Sequence, residues 1–215
     1  MIYTVTFNPA LDYLMYVSEL QADDINRTEK EQLFYGGKGI NVSVILTRLG
    51  VKNKALGFLA GFSGHQLKDM LNADNIKNDF VYLKKGYTRI NVKIKSDREI
   101  DINACGPDIS EDDITALFEK LGRLKAGDCL VLAGSIPKSL PDNIYEKILE
   151  KLNGKGIDFV VDATGDLLKN VLKYKPFMIK PNHHELGEIF STEIRTLDDI
   201  KKYGKMLQNM GARNV

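Results

Sequence analysis

The stretch Gly36-Gly37-Lys38-Gly39-Ile40-Asn41 lies between a segment rich in tyrosine and phenylalanine and a segment with helical apolar spacing. Glycines let the backbone turn sharply and approach a ligand, and the N–H groups that open the following helix favour an anion there. Gly39 stands where a Walker A loop needs Ser or Thr, and the dinucleotide fingerprint is also absent. The stretch predicts a pocket floor at a strand-to-helix turn; a tight turn without a ligand would explain the glycines equally well.

Around this loop, short apolar runs alternate with amphipathic segments. The predicted strands lie at 2–7, 55–59, 80–83, 129–133, 159–161 and 177–179. The predicted helices lie at 40–49, 64–71, 110–121, 142–152, 167–172, 185–190 and 197–210. Apolar strands separated by helices indicate a parallel sheet covered on both faces, so we expect a doubly wound α/β fold over 1–215. The last residues, 212–215, resemble the connection into a further strand, and we expect a chain that stops within a unit.

Two stretches depart from this apolar pattern. Residues 87–102 place Arg89, Asn91 and Lys93 on one face and the intervening Ile90 and Val92 on the other, which predicts a solvated β-hairpin. Because polar alternation of this kind does not suit a buried parallel sheet, we expect a small β lid built from 11–35 and 86–106.

The composition excludes several classes of protein. With 43% hydrophobic and 27% charged residues, 215 residues suit one soluble globular domain. A formal net charge of +1 gives no reason to expect nucleic acid or an anionic membrane as partner, so a small molecule is expected. Cys105 and Cys129 form no C-x-x-C pair, which argues against a disulfide framework or a zinc site. We find neither a signal peptide nor a membrane-spanning run, and expect a cytoplasmic protein.

Six motifs in order resemble the PfkB carbohydrate kinases of the ribokinase-like superfamily, and within them the branch that acts on fructose 1-phosphate. The motifs are Asn8-Pro9-Ala10-Leu11-Asp12, the glycine loop at 36–41, Thr88-Arg89-Ile90-Asn91-Val92-Lys93, Gly134-Ser135-Ile136-Pro137, Val161-Asp162-Ala163, and Lys180-Pro181-Asn182 with Glu185. The resemblance covers the whole chain. It implies a three-layer ribokinase-like fold with ATP and Mg²⁺ as cofactors, and lids that pair in a homodimer.

The resemblance also implies the site residues. Those expected to bind the sugar phosphate are Asp12, Gly37, Lys38, Asn41, Arg89, Asn91 and Ser135. A carboxylate such as Asp12 accepts hydrogen bonds from sugar hydroxyls, whereas Arg and Lys provide charge for a phosphate. Four of them have an ordinary structural alternative: a cap for Asp12 and Asn41, a solvated strand for Arg89, and a turn for Ser135.

Lys180 and Asn182 are expected to face the nucleotide, and Glu185 to face magnesium. Asparagine and glutamate three residues apart at the start of a helix could hold water on Mg²⁺, but the same pair also forms a capping box. His183 and His184 are adjacent on a helix, so their side chains diverge and a solvated face is expected rather than a metal site.

The implied reaction transfers the γ-phosphoryl group of ATP to the free primary hydroxyl of fructose 1-phosphate and forms fructose 1,6-bisphosphate. The family continues into a Gly-Ala-Gly-Asp-like segment that carries the anion hole and the catalytic base, so no catalytic base is expected within 1–215 and the chain alone should be inactive. The alternatives are a tagatose 6-phosphate kinase of the same family and a non-catalytic sugar-phosphate-binding protein.

Overall fold

The computed structural model describes all 215 residues, Met1–Val215. The strands are β1 (Ile2–Thr6), β2 (Ala10–Tyr16), β3 (Lys30–Gly36), β4 (Asn53–Ala60), β5 (Val81–Leu83), β6 (Arg89–Lys95), β7 (Glu99–Ile102), β8 (Cys129–Ala133), β9 (Asp158–Asp162) and β10 (Met178–Ile179). The helices are α1 (Lys38–Arg48), α2 (Gly61–Ala73), α3 (Glu111–Gly122), α4 (Ile144–Leu152), α5 (Gly165–Val171), α6 (His183–Phe190) and α7 (Leu197–Asn209), with a 3-10 turn at Leu172–Tyr174.

The main sheet has six strands in the order β10-β9-β8-β1-β4-β5, and every neighbouring pair is parallel. This confirms the doubly wound α/β fold. The chain starts in the middle at β1, continues through β4 and β5 on one side, and returns to β8, β9 and β10 on the other. The order therefore reverses beside β1, and open α/β sheets bind ligands at the carboxyl ends of the strands at such a switch point.

Two apolar clusters cover the two faces of this sheet. Along β4, Leu56 and Phe58 point into a large core with α3 to α7, whereas Ala55 and Leu59 point into a smaller core with α1 and α2. The alternation follows from the two-residue period of a strand. Because both faces are covered, β4 reads as a nearly continuous apolar run.

A second sheet of four strands has the order β3-β2-β6-β7. Strands β2 and β6 are parallel, and the outer pairs are antiparallel. The hairpin of β6 and β7 is the one that the alternation at 87–102 predicts. We call this four-stranded sheet the lid sheet. Its base joins the main domain through Leu11, Tyr35 and Ile90, which pack on the smaller core.

Helix ends follow local sequence rules where a cap residue is present. Ser110 caps α3, Asn182 caps α6 and Thr196 caps α7, each in a capping box with the acidic residue three positions later.

After α7, the residues at 212–215 run beside β10. Asn214 makes a single parallel bridge to Met178, and the Asn214 carbonyl accepts the Ile179 N–H at 3.1 Å. The beginning of a further strand is therefore present. No helix combines the length and apolar character needed to cross a bilayer.

Candidate functional site

A cavity of about 250 Å³ opens at the switch point beside β1. Its lining comes from the ends of β1, β8 and β9, the start of α1 and the start of β6. The lining residues are Thr6, Asn8, Gly37, Lys38, Arg89, Gly134, Ser135, Asp162, Ala163, Thr164 and Leu167. Four of the residues expected from the sequence lie here, namely Gly37, Lys38, Arg89 and Ser135.

The glycine loop forms the floor of this cavity. Gly37 is the N-cap of α1 with φ of 128°, a conformation that favours glycine, and no side chain caps this helix end. The hydroxyl of Thr6, at the end of β1, accepts the N–H of Ile40 at 3.0 Å and fixes the helix over the strand. The first turn of α1 thus presents backbone N–H groups and the positive end of its dipole to the cavity.

Asp162 is the cavity's only carboxylate, and it is paired with two lysines. Its Oδ1 lies 3.5 Å from Lys38 Nζ and 3.4 Å from Lys180 Nζ. The Asp162 side chain is 14% exposed, whereas the two lysine side chains are 49% and 66% exposed. The largely buried carboxylate therefore holds two exposed ammonium groups, and the triad carries a net charge of +1.

Arg89 adds a third cation, and together with Asn8 Oδ1 and Asp162 Oδ1 its Nε is one of three buried atoms of the lining residues that make no hydrogen bond. Burial lowers the pKa of its guanidinium, and the negative charge of Asp12 partly offsets that effect. Thr88 fixes the start of β6, the strand that begins at Arg89. The Thr88 hydroxyl accepts the Ala60 N–H at 2.9 Å, and the Thr88 carbonyl accepts from the Ser63 hydroxyl at 2.6 Å. A desolvated arginine with a free donor is prepared for an anionic ligand.

The wall opposite Arg89 is the loop after β8. Gly134 has φ of 104°, its N–H donates to the Asp162 carbonyl at 3.1 Å, and its own carbonyl accepts from the Tyr145 hydroxyl at 2.9 Å. Tyr145 is fully buried, and this burial raises the pKa of its phenol. These bonds hold the loop so that Ser135 faces the cavity.

Asp12 and Asn91 lie beside the cavity, on the lid sheet, rather than in its lining. Asn91 Nδ2 donates to Asp12 Oδ1 at 2.8 Å, and Lys93 Nζ lies 4.0 Å from Asp12 Oδ2. Asp12 and Asn91 face each other in the register of β2 and β6. The structure thus joins two residues that are 79 positions apart in the chain.

Asn41 is exposed and lies elsewhere, in an open groove between β3, α1 and α2 that also contains Phe34, Ile45 and Arg48. It makes no side-chain cap for α1. The structure therefore does not bring Asn41 into the cavity with Lys38 and Arg89, and its role as a substrate ligand stays a prediction.

Asn182 and Glu185 form the capping box that the sequence leaves open as an alternative. Asn182 Oδ1 accepts the Glu185 N–H at 2.9 Å, and Glu185 Oε2 accepts the Asn182 N–H at 2.8 Å. Glu185 Oε1 has no such bond and could contact a hydrated cation. The structure contains no group of three or more acidic, histidine or cysteine side chains that could enclose a metal. Mg²⁺ could therefore be held here only in a form that keeps most of its water ligands.

His183 and His184 lie with their ring centroids 3.9 Å apart and their ring planes tilted by 40°. The two side chains thus approach each other instead of diverging as expected.

Sequence reasoning assigned no role to Thr6, Asn8 or Thr164, and it placed Asp162 only within a motif expected to face nucleotide and magnesium; all four residues line the cavity. The signal was present for Asp162, since it ends an apolar strand within a recognised motif. Its pairing with two lysines from different parts of the chain depends on the three-dimensional arrangement of strand ends and has no local signal.

Comparison with known proteins identifies relatives over the full chain. The sequence pattern described as pfkB family carbohydrate kinase matches residues 5–215. The 1-phosphofructokinase of Bacillus subtilis (strain 168) is 46% identical over 215 residues, which are 100% of this chain and 71% of the relative. The D-tagatose-1-phosphate kinase of Bacillus licheniformis is 38% identical over 216 residues, again covering 100% and 71%.

A solved structure gives the same result for the fold. The crystal structure of phosphofructokinase-2 from Escherichia coli in complex with fructose-6-phosphate superposes with a TM-score of 0.90 at 26% identity, covering 99% of this chain and 71% of that one. About three-tenths of each of these proteins therefore has no counterpart in the 215 residues.

Proposed function

The chain belongs to the pfkB family of carbohydrate kinases, and from this premise we propose that it is the part of a 1-phosphofructokinase that carries the sugar-phosphate half of the site and the edge of the triphosphate half. The complete enzyme would transfer the γ-phosphoryl group of ATP to the free primary hydroxyl of fructose 1-phosphate. Such a transfer depends on positioning and on neutralising phosphate charge rather than on covalent chemistry.

The observation that carries this proposal is the buried Arg89 Nε, which lacks an acceptor in a cavity that also contains Lys38. A doubly charged phosphate already present on the substrate would supply the acceptor. In our proposal, Arg89 binds it as a planar fork, Lys38 contributes a point charge, and the N–H groups at Gly37 and the start of α1 complete the cradle. Ser135 contributes a hydroxyl from the opposite wall.

The sugar ring is proposed to lie against Asp12. Its Oδ2 faces away from Asn91 and could accept hydrogen bonds from vicinal hydroxyls. This arrangement would orient the ring and leave the far primary hydroxyl directed toward the nucleotide.

On the nucleotide side, Lys180 is proposed to contact the phosphates of ATP, with Asn182 beside it. Magnesium, when bound, would neutralise charge on the ATP phosphates, and Glu185 would hold it through water by its free Oε1. Lys180 and Lys38 share Asp162, so the two halves of the site meet at one carboxylate.

The alternative with the best support is a kinase of the same family whose ketohexose phosphate substrate differs from fructose 1-phosphate only at C4. One relative is named a D-tagatose-1-phosphate kinase and is 38% identical. Tagatose 1-phosphate and fructose 1-phosphate present the same phosphate to Arg89 and differ in one hydroxyl near Asp12. Tagatose 6-phosphate, expected as an alternative from the sequence, would place its phosphate at the other end of the sugar. The non-catalytic binding protein remains the alternative for residues 1–215 by themselves.

Calorimetric titration of the 215-residue chain with a substrate panel tests the proposal. The panel is fructose 1-phosphate, tagatose 1-phosphate, tagatose 6-phosphate and fructose 6-phosphate. We expect the two 1-phosphates to bind at least about tenfold more tightly than the 6-phosphates, because a misplaced phosphate leaves Arg89 unpaired. Equal or tighter binding of a 6-phosphate would contradict the proposed substrate.

We further propose a homodimer through the lid sheet. Leu33, Tyr13, Val92 and Ile102 face one another in a row across all four strands, on the face opposite to Asp12. Leu33 is 37% exposed and Ile102 is 57% exposed, so the row is not covered within one chain. A self-complementary apolar face of this kind suits a two-fold axis between copies.

Replacing Leu33 by Asp should disrupt this dimer. Dimerisation is measured on an extended protein. In this protein, the part of the Bacillus subtilis relative that has no counterpart in the 215-residue chain is joined after Val215. Sedimentation equilibrium should show a dimer dissociation constant raised by about 30-fold or more, because a charge would enter an apolar interface. Leu49→Asp is the control, since Leu49 is 71% exposed outside the lid sheet. An unchanged dimer in Leu33→Asp would place the interface elsewhere.

A further inference from the structure

The side-chain amide of Asn91 is engaged at both ends inside the protein. Its Nδ2 donates to Asp12 Oδ1 at 2.8 Å, and its Oδ1 accepts the backbone N–H of Ala104 at 3.2 Å. Asn91 is only 5% exposed. An amide that is buried and bonded at both ends is poorly placed to bind a substrate directly. The role of Asn91 therefore depends on the two groups to which it is hydrogen-bonded.

One of the groups it holds is Asp12. The bond from Asn91 fixes Oδ1 and leaves Oδ2 on the other side of the carboxylate. Gly36 lies against that side: a Cβ at this position would stand 2.8 Å from Oδ2. Because glycine has no Cβ, the side of the second oxygen toward Gly36 is free of a side chain, and Lys93 Nζ lies 4.0 Å from this oxygen. The hydrogen bond from Asn91 thus engages Oδ1, while Oδ2 lies on the side of Gly36.

The other group is the segment that returns from β7 to the main domain. Next to Ala104, the carbonyl of Cys105 accepts from Asn8 Nδ2 at 3.0 Å, and Asn8 lines the cavity after β1. Two asparagine amides therefore hold the return segment, one from the lid sheet and one from the bend after β1.

We propose that Asn91 is a positioning residue: it acts on the substrate through Asp12, and it ties the orientation of this carboxylate to the segment at 104–105. The proposal rests on the proposed function in that Asp12 is the sugar ligand. It assigns Asn91 a role different from direct substrate contact.

The first test needs no substrate. Amide hydrogen exchange of the Ala104 N–H is measured in the 215-residue chain, in Asn91→Ala, in Asp12→Ala and in the double variant. Asn91→Ala should accelerate this exchange by about tenfold or more, since the acceptor is lost. Asp12→Ala should also accelerate it, because Asn91 loses its anchor, and the double variant should be no faster than Asn91→Ala.

The second test is a binding cycle on the same four proteins, with fructose 1-phosphate as the titrant. Asn91→Ala should weaken binding by about tenfold, because an unheld Asp12 samples unproductive rotamers. In the Asp12→Ala background the same change should have an effect of less than about twofold, since the residue it acts through is absent.

Asn53→Ala is the matched control. Asn53 is also 5% exposed, and its Nδ2 donates to Thr47 Oγ1 and to the Val51 carbonyl, each at 2.9 Å, far from the cavity. This variant should lower thermal stability like Asn91→Ala but leave both the Ala104 exchange and the binding unchanged.

Two outcomes would overturn the proposal: an Ala104 exchange that Asp12→Ala does not alter, or binding losses that add fully in the double variant, as for a direct ligand. If the unaltered chain binds none of the ketohexose phosphates, the proposed function fails. The exchange cycle then still decides whether Asn91 holds Asp12.

Discussion

Residues 1–215 alone are expected to phosphorylate fructose 1-phosphate at least about 10,000-fold more slowly than the extended protein, because a general base and an anion hole each contribute about a hundredfold or more. The resemblance to the family places both in a Gly-Ala-Gly-Asp-like segment, and no such segment occurs in the sequence.

The cavity itself supports this expectation. Asp162 is the only carboxylate in its lining, no histidine reaches it, and the Asp162 carboxylate is shared by Lys38 and Lys180. Both ammonium groups already lie against its Oδ1. Asp12 is bonded to Asn91 and lies beside the cavity. The residues present are suited to binding and orienting a sugar phosphate, and we expect the base that deprotonates its hydroxyl to lie outside them.

An assay that couples ADP formation to NADH oxidation, run with ATP and Mg²⁺ on both proteins, measures the difference. Binding of fructose 1-phosphate is measured on the same samples, so that loss of turnover can be separated from loss of the site. Full turnover by the 215-residue chain would mean that the base lies within it, with Asp12 or Asp162 as the first candidates.

Much of the fold is predictable from the sequence because its signals are local. The strand β8 coincides with the apolar run at 129–133, since a strand buried on both faces needs apolar residues at every position. The cap of α3 at Ser110 follows from an N-cap residue and an acidic residue three positions on. Helix α2 is longer than predicted, 61–73 rather than 64–71, because its N-cap Ala60 offers no side-chain signal.

The site is only partly predictable, for a reason that is equally physical. Lys38, Arg89 and Ser135 follow from motifs at strand and helix ends, which parallel topology brings to one edge. The pairing of Asp162 with Lys180, and that of Asn91 with Asp12, depends on the register and spacing of strands that are remote in sequence. Asn41 belongs to the same motif as Lys38, yet it lines a neighbouring groove instead of the cavity, because it lies one turn further along the helix.

Replacing Arg89 by Ala should weaken fructose 1-phosphate binding by about tenfold to a hundredfold, the range for loss of a desolvated, charge-assisted phosphate contact. Binding of ATP should change by less than about twofold, since Arg89 lies on the lid side of the cavity. Arg89→Lys should weaken fructose 1-phosphate binding less than Arg89→Ala does, because an ammonium keeps the charge but loses the planar fork.

The unliganded state gives this prediction a second readout. Arg89 is half-buried with an unpaired Nε, and burial lowers its pKa, so the free protein carries a desolvation cost that the negative charge of Asp12 only partly offsets. Removing the side chain should therefore leave the melting temperature unchanged or raise it while substrate affinity falls. A residue that only supports the fold would show the opposite, a lower melting temperature with unaltered affinity.

Calorimetric titration of the 215-residue chain and Michaelis constants of the extended protein for both substrates measure these effects. Arg48→Ala is the matched control, because Arg48 is an exposed arginine in the groove that holds Asn41, and it should alter neither constant. If Arg89→Ala leaves the sugar-phosphate constant unchanged, Arg89 is not the phosphate ligand. The cradle must then consist of Lys38 and the start of α1, because these are the remaining cation and N–H donors on the cavity floor.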